Sequence, residues 1–173
     1  MKISNPLIAV PVKYGFVGGM LSILVFVLVY QLDRNPLTVY GNFDFSFLLF
    51  PIFIAFSLKD FRDNWNDKSM KFWQGMTIGF INYSAIAIIS AIFIFLFLTF
   101  IDHTLLTEYI SDRSLLIVEM KDEMIKTMGQ AVYETTYREV QETTAYVIAL
   151  DDFLKKVFIG LFLTIILSVI FRK

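Results

Sequence analysis

Long apolar runs constrain this chain more than any other feature. Residues 7–31, 43–58, 72–101 and 153–171 are almost free of charge. A helix rises about 1.5 Å per residue, so some 20 residues cross a ~30 Å hydrocarbon core. The second run is short and begins beside Asp44; the third is long enough to tilt. Helix is the fitting conformation, because lipid offers backbone amides no partner and the runs lack the alternation of barrel strands. The sequence predicts an all-α integral membrane protein, a single membrane domain over 1–173 with four transmembrane helices. Pro51 falls inside the second run and predicts a packing kink.

Composition agrees. Hydrophobic residues are 57% of the 173 and charged residues 18%, too apolar a balance for a soluble surface. The net charge of −1 gives no reason to expect a nucleic-acid partner. With no cysteine, thiolate nucleophiles and cysteine-ligated metal sites are excluded. The run after Lys13 has no small-x-small cleavage pattern, so it reads as a retained helix.

Basic residues set the expected orientation. Lys2, Lys13, Lys59, Arg62, Lys68, Lys71, Arg172 and Lys173 lie in short segments on one side. The other side holds Arg34 and a long segment, 102–151, that carries most of the acidic residues. The expectation is therefore cytoplasmic N- and C-termini and an acidic extracytoplasmic segment between helices three and four. Trp65, Trp73 and Tyr14 on the inner side suit an aromatic belt.

Within 102–151, Leu116, Met120, Met124 and Met128 recur at helical spacing, and Tyr137 lies on a weaker second stripe with Val132, Tyr133 and Val140. Asp122 with Lys126, and Glu134 with Arg138, are favourable i,i+4 pairs. Two amphipathic helices broken near Gly129 are predicted, with Met120, Met124, Met128 and Tyr137 as a candidate outer interface. Asp151 or Asp152 is expected to cap the fourth transmembrane helix, and Lys155 and Lys156 to snorkel to the interface.

Few side chains offer chemistry. Gly15 and Gly19 form one GxxxG, and Gly75 and Gly79 another, at similar depth on parallel helices. Small residues let membrane helices approach, so these two helices are expected to pack together there, or one face to pair two copies. The central parts of the spans are read as free of charge, which argues against a proton-coupled pump. Asn82, Ser84, Ser90, Thr164 and Ser168 are expected to make interhelical or back-bonded hydrogen bonds. His103, the one histidine, stands beside Asp102 as a possible proton-transfer pair, and a single histidine makes a zinc site unexpected. Lys59, Arg62 and Asp63 are a candidate cytoplasmic interface, for a lipid headgroup or for phosphate chemistry. Walker, dinucleotide, GxSxG and HExxH motifs are absent. No cofactor or metal is expected.

These features resemble a family of small bacterial four-helix membrane proteins, domain of unknown function 4199. The resemblance runs over almost the whole chain. It is carried by Tyr14-Gly15 and Gly19, by Lys59-x-x-Arg62-Asp63, by Phe72, Gly75 and Gly79, by the acidic Met- and Glu-bearing segment, and by Gly160. Where that family tends to have a glycine turn, this chain reads Asn64-Trp65-Asn66-Asp67. The resemblance implies the inner membrane of a Gram-negative cell and brings no activity. The leading expectation is a non-enzymatic subunit or scaffold that contacts membrane lipids and an envelope protein partner, or a second copy. A lipid or small-hydrophobe transporter is the alternative, and an enzyme acting on lipid phosphates the second.

Overall fold

A computed structural model describes residues 5–32, 34–38 and 46–172. The described residues form seven principal helices: α1 (Pro6–Gln31), α2 (Ser46–Trp65), α3 (Phe72–Leu96), α4 (Thr104–Glu119), α5 (Lys121–Met128), α6 (Gln130–Gln141) and α7 (Ala145–Ile170). A π-helical turn, Phe97–Ile101, prolongs α3. Pro6–Gln31, Phe72–Ile101 and Ala145–Ile170 are long and apolar enough to cross a membrane, as in a multi-pass membrane protein.

Helix α2 is different. Lys59, Asp60, Arg62 and Asp63 occupy its last two turns, which leaves 13 apolar-side residues, 46–58, ahead of them. That stretch rises about 20 Å, short of the ~30 Å core. The start of the second run, 43–45, lies outside the described residues.

Local chemistry explains the other boundaries. Asn5 caps α1 by accepting the Leu7 N–H at 3.0 Å, and Pro6 sits where a missing N–H does no harm. Helix α7 begins eight residues before the expected 153. Thr144 is its cap, accepting from the Val147 N–H at 3.4 Å, so Asp151 and Asp152 lie inside the helix rather than at its start. Thr144 takes the cap from the two acidic residues because the helix starts about two turns ahead of the apolar run.

The segment between α3 and α7 holds three helices instead of the two expected. Gly129 does break it, at φ 91°. A second break falls at Met120, without glycine or proline, where the Met120 N–H bonds back to Leu116 O and Met120 O accepts from Met124.

Helix α3 is the hub of the bundle, with α1 on one side, α7 on another, and α2 touching all three. One core lies toward the Phe72 end, built from Val10, Phe50, Ile54, Leu58, Ile78 and Ile86 with their neighbours. Another lies toward the Ile101 end, around Phe26, Ile94, Phe97 and Leu98. There Phe26, Phe93, Phe97 and Tyr30 meet with ring centroids 5.2–5.6 Å apart, mostly edge to face. Leu105 and Ala149 join that second core, which fastens the first turn of α4 to α7.

The link from α2 to α3 adopts the backbone that glycine would favour. Asp67 and Lys68 have φ of 47° and 57°. The Lys68 N–H closes on Arg62 O at 3.0 Å, and the Asn66 amide donates to Ser69 O at 2.6 Å and to Gln74 Oε1 at 3.2 Å. A left-handed residue costs about 1–2 kcal/mol when it is not glycine. Lys68→Val is expected to lower stability by about 1 kcal/mol, because branching at Cβ worsens that conformation. Lys68→Gly should match or exceed wild type in a thermal melt of the detergent-solubilised protein. Equal melting of the Val and Gly variants would contradict this reading.

Candidate functional site

Every fourth residue of α7 from 152 onward faces the bundle: Asp152, Lys156, Gly160, Thr164 and Ser168. Four residues make slightly more than one turn, so these side chains form one stripe. Lys156 is only 2% exposed. Its Nζ donates to Asp152 Oδ1 at 2.6 Å, to Asp152 Oδ2 at 2.7 Å and to Ser90 Oγ on α3 at 2.6 Å. Ser90 Oγ in turn donates to Asp152 Oδ2 at 3.2 Å. An ammonium has three protons, and this site supplies three acceptor atoms.

This cluster corrects the expectation that the spans carry no interior charge. Lys156 stands eleven residues into α7, about 16 Å along its axis and near its midpoint. Its neighbour Lys155 does reach outward, 58% exposed and paired with Asp151. Successive residues point about 100° apart on a helix, so one lysine of the pair faces out and the other in. Ser90 makes the interhelical hydrogen bond expected of it. Thr164 and Ser168 do not: Thr164 Oγ1 and Ser168 Oγ, with Asn82 Oδ1 and Ser57 Oγ, are buried without a partner among the described residues.

The glycines lie in two separate seams. A Cβ on Gly15 would meet Ala85 Cβ at 2.7 Å and Asn82 O at 2.8 Å, and one on Gly19 would meet Ile89 Cβ at 2.9 Å, so α1 rides against α3. Gly75 and Gly79 face α7, opposite Ser168 and Thr164, and Tyr83 covers Gly160. The two GxxxG pairs therefore do not meet one another, although α1 and α3 do pack closely. Asn82 sits between α1 and α2, its amide directed at Pro11 O and Phe53 O at 3.4 and 3.5 Å.

At the Phe72 end, Arg62 Nε bonds Asp63 Oδ1 at 2.8 Å, and its guanidinium lies 5.3 Å from the centre of the Phe171 ring. Arg62 thereby ties α2 to the end of α7. Its hydrogen bond, aided by the Arg62, Lys59 and Lys68 charges, holds the Asp63 carboxyl below its usual range. Lys59 is exposed beside them.

At the other end, Asp102 binds Tyr30 and Thr104 rather than His103, which is exposed. Tyr30 donates at 3.0 Å and the Thr104 N–H at 2.8 Å. The Thr104 hydroxyl bond, with backbone donors from Thr104 and Leu105 and the Tyr30 bond, holds the Asp102 carboxyl below its ordinary value against a smaller opposing effect of burial. A depressed folded value stabilises above the unfolded value and ceases to do so as pH falls through the folded one. Asp102→Asn should melt below wild type at neutral pH, and the gap should close below about pH 4. A gap independent of pH would show that charge plays no part.

The candidate outer residues differ in exposure. Met120 and Met128 are exposed, while Met124 and Tyr137 are half-buried. The break at Met120 divides the Leu116–Met128 stripe between α4 and α5. Tyr137 stacks on Tyr133, with ring centroids 6.2 Å apart. It also lines a cleft of about 360 Å³ between one face of α4 and α6. No His, Asp or Glu cluster among the described residues could hold a metal ion.

No curated protein and no solved structure matches the chain. A family model described as "Protein of unknown function (DUF4199)" matches residues 13–173. That match takes in all of α2 to α7 and most of α1, and the chain belongs to the DUF4199 family.

Proposed function

We propose that this chain is a non-enzymatic subunit of a bacterial envelope complex, a membrane anchor that presents the α4–α6 segment to a protein partner outside the inner membrane. In this reading both termini are cytoplasmic, α2 is the fourth span, and its shortness is met by tilt of its neighbours or local thinning of the bilayer.

The observation that supports the reading is how the segment is held. Asn35 Nδ2 donates to Leu105 O at 2.9 Å, Leu105 is buried in the core, and Gln141 Nε2 donates to Ser114 Oγ at 2.6 Å. The base of the segment is fixed to the bundle, while Leu115, Leu116, Val118, Met120 and Met128 remain exposed. A rigid base with an apolar tip suits docking better than a solvated linker does. Several of the residues on which the alternatives would rely are engaged within the bundle. Ser90 holds Lys156, Asn82 is wedged between helices, and Arg62 pairs with Asp63.

The test is photocrosslinking in native membranes from positions 120, 124 and 137. One recurrent envelope protein, joined at 120 more than at half-buried 124, is the expected result. Crosslinks confined to the chain itself or to lipid would overturn the reading.

A further inference from the structure

The cleft between α4 and α6 has the lining of a ligand site. Helix α6 turns no large aliphatic side chain into it, only Tyr137 and Gln141. Ile110, Leu115 and Val118 of α4 form its apolar wall, and Leu115 is left 60% exposed.

Its polar groups divide into engaged and open. Ser114 donates to Ile110 O at 2.6 Å and accepts from Gln141, and Thr107 donates to Thr104 O at 2.8 Å. The Ser111 hydroxyl, the Tyr137 hydroxyl and the Gln141 carbonyl make no hydrogen bond to another described residue. Because its amide is held by Ser114, Gln141 has its carbonyl orientation set in advance. No Asp, Glu, Lys or Arg lines the cleft, so a charged ligand would lose hydration without gaining a counter-charge. An acyl chain would leave the hydroxyl and amide edge unpaired.

We propose that this cleft binds one uncharged sugar unit, its C–H face against Leu115 and Tyr137 and its hydroxyl edge toward Ser111 and Gln141. The cleft is open along one side, so a single ring would lie in it with its outer edge in solvent. Thr107 follows the end of Phe72–Ile101 by six residues. In the orientation proposed above, the cleft therefore lies near headgroup height. The sugar could then be free or the headgroup of a neutral glycolipid. The site goes beyond protein docking, and the crosslinking result bears on docking alone.

Saturation-transfer NMR on the full chain in phosphatidylethanolamine–phosphatidylglycerol nanodiscs tests the site. N-acetylglucosamine is the uncharged probe, with glucosamine and glucuronate as charged counterparts. The neutral sugar should give a saturable signal at least fivefold above either charged one. Leu115→Trp and, separately, Ser111→Phe fill the cleft from exposed positions and should reduce that signal at least fivefold. Leu116→Trp, next to but outside the lining, should leave it unchanged. Equal signals from neutral and charged sugars, or an undiminished signal in both filled variants, would overturn the proposal. Adding monoglucosyl diacylglycerol to the discs separates the sources. Displacement of the free sugar identifies a glycolipid headgroup, and retention with the same variant pattern identifies a soluble sugar.

Discussion

Lys156→Met is expected to destabilise the protein by about 3 kcal/mol, the low end of the range for breaking a buried ion pair from one side. The loss comes from what remains. Met fills much of the space, but Asp152 keeps its carboxylate with only the Ser90 hydroxyl as a described partner. Asp152 retains 15% exposure, which lets some solvent reach it and keeps the loss from being larger. Asp152→Leu alone should be at least as damaging, since the lysine left behind is 2% exposed and retains only Ser90 among its described partners. The double variant Lys156→Met/Asp152→Leu removes both charges and should recover most of the loss. Ser90→Ala deletes one acceptor and is expected to cost about 1 kcal/mol. Unfolding of the purified protein in mixed micelles measures all four. A stable Lys156→Met would show that the cluster does not hold α3 to α7, and a double variant as poor as the singles would mean that the damage is packing rather than charge.

The all-helical class and the runs 7–31 and 72–101 were readable from composition and length alone, because lipid leaves the backbone few choices. The site was harder to read. An average over a window of residues cannot show that Lys155 points outward and Lys156 inward, since that depends on where the helix begins and which neighbour it meets. A signal was present in the four-residue spacing of Asp152, Lys156, Gly160, Thr164 and Ser168, which is too regular to end at the interface. The cleft between α4 and α6 was not legible at all. The break at Gly129 could be read, but the cleft depends on which faces of α4 and α6 then meet, and local periodicity does not encode that pairing.

Glycine spacing poses the same problem of partners, and it yields the other large effect. Gly79→Leu is expected to destabilise the protein by about 3 kcal/mol or more, at the top of the usual range for overpacking. Even one added carbon at Gly79 would collide with Thr164 Cγ2 and Oγ1, and three more cannot be absorbed without parting α3 from α7. Gly15→Leu should be comparably harmful through a different seam, because its obstacles include the Asn82 backbone oxygen at 2.8 Å, which cannot rotate away. Equal destabilisation would not distinguish two seams from one in which the GxxxG pairs face each other. Cysteine pairs do, and the chain has no native cysteine to interfere. A Cβ at Gly75 falls 2.9 Å from Ser168 Cβ, within a small backbone shift of disulfide spacing. Gly75→Cys/Ser168→Cys should therefore oxidise readily in membranes, and Gly15→Cys/Gly79→Cys should not. The reverse pattern would place α1 where this structure places α7. It would also remove Gly79 from Thr164 and break the register that brings Lys156 to Ser90.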